Sequence, residues 1–193
     1  SISNQFEDKR PEAILSWGFR TFGDKIALAS SFGGASGTVL IDMAVKLNPQ
    51  IKIYYIDTDF LFPETYQEVE DVKHHYGIEP MAFKSKLTPD EQAAAYGPEL
   101  WTRNPTLCCD LRKVEPQSRV PVELGLEAWI TGVRRDQATT RAQAELVEWQ
   151  AKFSLVKLNP VAHWGKQEIW KYIFENKLKY NPLLDRGYKS IGC

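Results

Sequence analysis

The sequence predicts an α/β protein, a single domain over residues 1–193 with a Rossmann-like, doubly wound and mostly parallel sheet. Three observations carry this reading. Strand, glycine turn, helix and strand follow one another within residues 25–58, and that βαβ rhythm makes neighbouring strands parallel. Short apolar runs then keep alternating with helical patterns as far as residue 132. Finally, 193 residues with 43% hydrophobic content suit one core.

The elements follow in order. "PEAILSWGFRTFG" opens with proline in a first turn and has helical apolar spacing. "KIALASS", residues 25–31, is an apolar strand; "FGGASG" turns the chain, and "TVLIDMAVKLN" is a striped helix. "IKIYYIDT", residues 51–58, is a strand dense in β-branched and aromatic residues. "FPETYQEVEDVKHHYG" reads as a helix with a glycine stop, and "IEPMAF" as a third strand. "SKLTPDEQAAAYGPELWTRN" reads as helical, and "EAWITG", residues 127–132, as a fourth strand. "AELVEWQ" and "FSLVKLNPV" form a strand pair outside the rhythm, and "GKQEIWKYIFENKL" is a late amphipathic helix. Ligands of such sheets bind beyond the carboxyl ends of the strands, where "SSFGGASG", "DTDF" and "TGVRRDQ" fall.

With 24 basic and 25 acidic residues the chain offers no general nucleic-acid or membrane surface, so anion binding is expected to be local. No apolar run approaches the about 18 residues of a membrane helix, and the polar first residues lack a secretory layout. Three cysteines are an odd number and do not make a disulfide framework, so a reducing, cytoplasmic setting is expected. Oligomeric state is left open, a homo-oligomer included.

Ser31, Phe32, Gly33 and Gly34, a stretch of mostly small residues, precede a helix start, where free N–H groups favour an anion. The turn fits neither the Walker pattern nor the dinucleotide fingerprint. Arg134, Arg135 and Arg141 follow the fourth strand, and Arg112, Lys113 and Arg186 add further cations; taken singly, each also fits ordinary surface charge. Cys108 and Cys109 stand together and Cys193 ends the sequence. Thiolates bind soft metals and iron–sulfur clusters, but two buried thiols and one free one remain an equal alternative. His74 and His75 read as solvated helix residues and His163 as a turn residue.

Six stretches together, "SSFGGASGTVLIDM", "IDTDFLFPETY", "CCDLRKVEP", "TGVRRDQATTRA", "KLNPVAHW" and "YNPLLDRGYKSIGC", resemble the sulfonucleotide reductases of the PP-loop superfamily. The resemblance is closest to the assimilatory adenylyl-sulfate reductases, which carry the cysteine pair. It implies reduction of adenosine 5'-phosphosulfate (APS) to sulfite and AMP in sulfate assimilation. The attacking cysteine lies in a tail motif like E-C-G-L-H, not found in the 193 residues, and a thioredoxin or glutaredoxin-like reductant then releases sulfite. Without that tail the chain is expected to bind substrate and not turn it over. Cys108, Cys109 and Cys193 would be three ligands of a [4Fe–4S] cluster, with the fourth beyond Cys193. Lys113 and Arg141 would hold the phosphosulfate, joined by Arg186. Ser31, Phe32, Gly33 and Gly34 would form the nucleotide loop, and Ile56, Asp57, Thr58 and Gly132 would surround adenine and ribose.

Three positions depart from the pattern: Gly33 replaces a serine, Leu184 a histidine, and Ser36 stands where ATP-cleaving relatives have a metal-holding acid. The alternatives are a reductase of the 3'-phosphorylated nucleotide (PAPS), a PP-loop enzyme that adenylates with ATP, or a non-catalytic nucleotide- or metal-binding module.

Overall fold

The structure is a computed structural model and describes residues 2–192. Six strands form one sheet in the order β3-β2-β1-β4-β6-β5: β1 Ile26–Ala29, β2 Lys52–Asp57, β3 Met81–Lys84, β4 Ala128–Ile130, β5 Val147–Gln150 and β6 Leu155–Leu158. All neighbours pair parallel except β5 with β6. The hairpin expected outside the rhythm is therefore half inside it. Its second strand, β6, lies parallel to β4, with Ala128 opposite Val156. Only β5 runs against the rest, because a short turn through Ser154, at φ 50°, leaves it no other direction.

The strands are shorter than their apolar runs suggest. β1 stops at Ala29; Ser30 N–H still donates to Tyr54 O of β2 at 3.0 Å, and the glycine loop begins beyond it. Alternation along the strands sorts two cores. Ile26, Leu28, Ile53 and Tyr55 face the larger one, beneath helices α1 (Pro11–Phe22), α2 (Ala35–Leu47), α3 (Pro63–Tyr76) and α8 (Lys166–Glu175). Ala27, Tyr54 and Phe83 face the smaller one with Val120 and Leu126. Within the larger layer, buried Asp42 of α2 accepts from Tyr76 Oη at 2.8 Å and Tyr172 Oη at 2.7 Å, tying α2 to α3 and α8.

The residues between β3 and β4 form α4 (Pro89–Tyr96), α5 (Leu100–Arg103), α6 (Pro105–Cys109) and α7 (Glu115–Glu123). α4 begins with a capping box between Thr88 and Glu91, which explains why the proline-led stretch is helical. α6 and α7 are joined by a π-helical turn, Asp110–Val114, closed by Glu115 N–H donating to Asp110 O. No helix is long and apolar enough to cross a membrane among the described residues.

Candidate functional site

The loops after β1 and β4 diverge at the carboxyl edge of the sheet, and the glycine turn occupies that point. Phe32 is buried with φ 53°, a left-handed conformation held by its own N–H donating to Ser30 Oγ at 3.2 Å. Asn181 Nδ2 donates to Phe32 O at 3.1 Å and to Thr65 Oγ1 at 3.1 Å, so a distant segment fixes the turn. Gly34 is the N-cap of α2. Gly33 must be small: a Cβ there would stand 2.8 Å from Ile191 Cβ. Gly132 is placed similarly, where a Cβ would lie 3.2 Å from Ser36 Cβ at the start of α2. Ser36 is buried and accepts from Arg134 Nη1 at 2.6 Å, so the position where a metal-holding acid would stand presents a hydroxyl to a guanidinium.

Beside this turn lies a cavity of about 240 Å³, lined by Ser31, Ile56, Thr65, Lys113, Gln117 and Ile191 among others. Tyr54 forms its floor, and its Oη accepts from Gln117 Nε2 at 2.9 Å. Burial pushes the Tyr54 hydroxyl up to about 12, so it stays neutral near pH 7. The lining is mostly apolar, with Lys113 its one cation among the described residues. A flat apolar slot with a few polar groups and one cation at its edge suits an aromatic base carrying an anionic arm.

Sequence-predicted residues divide around this cavity. Ser31, Ile56 and Lys113 line it. Asp57 and Thr58 are buried and are not among the residues that line it. The Asp57 carboxylate accepts from Tyr66 Oη at 2.7 Å and Asp59 N–H at 2.9 Å, with Lys84 Nζ at 3.1 Å. Thr58 Oγ1 accepts from Phe60 N–H at 3.3 Å. Arg141 is exposed on a short 3-10 turn and donates to Gln137 Oε1, whose same oxygen accepts from Arg134 N–H. Arg186 is 62% exposed and paired with Glu64 at 2.7 Å. Cys193 lies outside the described residues, and Gly192 before it lines the cavity.

Arg112 corrects the sequence reading. It is not surface charge: it is 1% exposed, among the largest fully buried side chains. Its Nε donates to Thr58 O at 2.6 Å, and Nη1 donates to Leu87 O and Gln92 Oε1, each at 3.1 Å; Nη2 pairs with Asp59. Gln92, also buried, turns its Nε2 toward Cys108 Sγ at 3.8 Å. The π turn makes this possible, since the widened turn sends Arg112 inward while its neighbour Lys113 reaches the cavity. Sequence periodicity gave no sign of the π turn. A buried arginine and an adjacent exposed lysine look alike in a charge count.

The cysteine pair suits soft-metal chemistry in part. Cys108 is buried with an amide N–H directed at its sulfur, Cys109 is exposed, and neither is in a disulfide. Amide-to-sulfur contacts stabilise thiolate ligands. Among the described residues no group of three His, Cys, Asp or Glu side chains is gathered, the third expected ligand being Cys193. His74 is exposed on α3 and His163 Nε2 meets Lys9 O at 2.9 Å, so neither completes a thiolate set.

Comparison with known proteins places this geometry. Residues 25–193 match the phosphoadenosine phosphosulfate reductase domain. The chain is 44% identical over 193 residues to the adenosine 5'-phosphosulfate reductase of Salinibacter ruber, covering all of this chain and 75% of that protein. It is also 44% identical to adenosine 5'-phosphosulfate reductase 2 of Bacillus subtilis, over 100% of this chain and 81% of that one. Among solved structures, the phosphoadenylyl-sulfate reductase of Candida auris, a phosphate complex, superposes with a TM-score of 0.88 at 35% identity, covering 99% of this chain and 91% of that one.

Proposed function

The chain belongs to the phosphoadenosine phosphosulfate reductase domain family, and on that premise we propose that it serves the reduction of APS to sulfite and AMP. The observation that carries the proposal is one cavity that joins Ser31 of the glycine turn to Lys113, four residues beyond Cys109. Adenine lies in the apolar slot over Tyr54, and the phosphosulfate points toward the turn and Lys113.

The sulfur of APS is ringed by negative oxygens that repel a thiolate, and a fixed cation in a partly dry cleft lowers that barrier. A cysteine thiolate from a tail segment, not Cys108, Cys109 or Cys193, attacks this sulfur. An S–S bond forms, the S–O bond to AMP breaks, and AMP leaves with the electron pair. A dithiol reductant of the thioredoxin or glutaredoxin type then attacks the S-sulfocysteine. It releases sulfite, becomes a disulfide and returns the enzyme thiol. Lys113 meets the charge on the sulfonate and on the departing phosphate. Arg141 and Arg186 reach the same oxygens by exchanging Gln137 and Glu64 for substrate.

Cys108, Cys109 and Cys193, with one more thiolate, would hold a [4Fe–4S] cluster, which would supply a fixed local charge and brace the helix that carries Lys113. The chain's own part is the Gln92 amide aimed at Cys108 and the Arg112 clamp behind it.

PAPS is the competing substrate, and the Candida auris neighbour bears that name. Its extra phosphate calls for a further cation beside the ribose, and the cavity lining supplies only Lys113. The test is sulfite release by the complete protein with reduced thioredoxin, APS against PAPS, beside iron and acid-labile sulfide per chain. APS preferred at least tenfold, with about four of each per chain, is the expected result. PAPS preferred, or Lys113→Ala releasing sulfite at the full rate, overturns the reading.

A further inference from the structure

Away from the nucleotide cavity, a cleft of about 180 Å³ opens between α2, α3 and the segment that follows α8. Ile41, Val72 and Leu178 are its apolar lining, and Glu68, Asp71 and Thr38 line it with polar side chains. Glu68 is the unusual member. It is 4% exposed, yet its carboxylate makes no hydrogen bond and no ion pair among the described residues. A largely buried carboxylate is normally paired or hydrogen-bonded, and here only the more distant Lys179 charge attracts it. Burial, aided by the nearby Asp71 carboxylate, pushes Glu68 up to about 7. Asp71 stands one turn further along α3 on the same face. At the rim, Lys177 is exposed, and Lys179, 80% exposed, meets Asp71 only at 3.7 Å.

We propose that this cleft binds a small aliphatic zwitterion of the α-amino-acid class. Its ammonium enters between Glu68, Asp71 and Thr38, three acceptors for three N–H donors. Its carboxylate turns outward to Lys177 and Lys179, and its side chain lies on Ile41 and Val72. The ammonium gives the Glu68 carboxylate a closer counter-charge than the distant Lys179 supplies. The site is distinct from the nucleotide cavity and does not rest on the reductase reading. The rim segment does run on to Asn181, two residues past Lys179, which holds Phe32 O of the glycine turn.

The test is calorimetric titration of the protein with L-norvaline, with n-butylamine and butyrate as half-ligands. Norvaline is expected to bind saturably at one site, at least tenfold more tightly than either half. Glu68→Gln weakens norvaline at least tenfold, and Lys177→Ala with Lys179→Ala lowers it to the butylamine level. Affinity rises from pH 6 to pH 8 as Glu68 gives up its proton, and this rise is absent in Glu68→Gln. Asp71, His75, Tyr76, Lys177 and Lys179 are the other ionisable groups that line the cleft, and the same variant separates their titration from that of Glu68. Melting curves check that Glu68→Gln is folded; if it is not, Thr38→Val replaces it, with several-fold weakening expected. The absence of saturable norvaline binding, or equal affinity in the folded variants, overturns the proposal.

Discussion

Two sets of the cations that the sequence singles out are held in opposite ways. Beside the cysteines, Arg112 is buried and four of its five N–H donors are taken, by two backbone carbonyls, the Gln92 amide oxygen and Asp59. Arg141 and Arg186, by contrast, are exposed, each with a single side-chain partner among the described residues, Gln137 and Glu64. The first arrangement buries its cation in protein contacts and braces the turn that carries the adjoining Lys113. The second leaves planar donors that trade a weak partner for a stronger anion. Fixed support on one side and exchangeable contacts on the other let a site hold one charge rigidly while closing on the rest of the ligand.

Three variants test that contrast, in descending order of effect. Arg112→Leu strips a buried charge from Asp59 and leaves the Thr58 and Leu87 carbonyls unpaired. A loss of about 3–5 kcal/mol is expected in urea unfolding; a loss below 1 kcal/mol would mean that the clamp is incidental. Arg141→Gln is expected to leave the melting temperature unchanged and to raise the KM for APS about tenfold, the cost of one charged contact at about 1.4 kcal/mol. A destabilised variant with unchanged KM would place Arg141 with the fixed set. Arg186→Gln breaks an exposed ion pair and shifts stability by less than about 1 kcal/mol. Its KM effect is expected to shrink with added salt, since exposed charges are screened; a salt-independent effect would show a buried role on binding.

The sequence was informative where a residue's role depends on its neighbours in the chain. The βαβ rhythm, the glycine turn and the helix starts at Pro11, Pro63 and Pro89 are local signals, and each stands within a few residues of its expected place. The cavity residues Ser31, Ile56 and Lys113 were legible through the family's motifs. What stayed hidden is non-local. Tyr54 and Gln117 meet only because α7 packs over β2, 63 residues apart in sequence. Arg112 finds Thr58 and Asp59 only once the π turn has rotated it inward. Asp57 and Thr58 stand at the expected strand end, where Asp57 also meets Tyr66 and Lys84, partners that no local motif shows. β6 hid its parallel partner because a hairpin's local pattern reveals nothing of its far edge.

The contact between Gly33 and Ile191 carries a further lesson, for how such a sequence can change. A side chain at Gly33 collides with Ile191 Cβ, and the Ile191 carbonyl, 3.2 Å from the same point, blocks the way round. Positions 33 and 191 are thus one heritable unit. In a randomised library, serine at 33 will survive together with glycine at 191, and rarely alone. A hydroxyl can enter the anion loop only after the segment lying on it has given way.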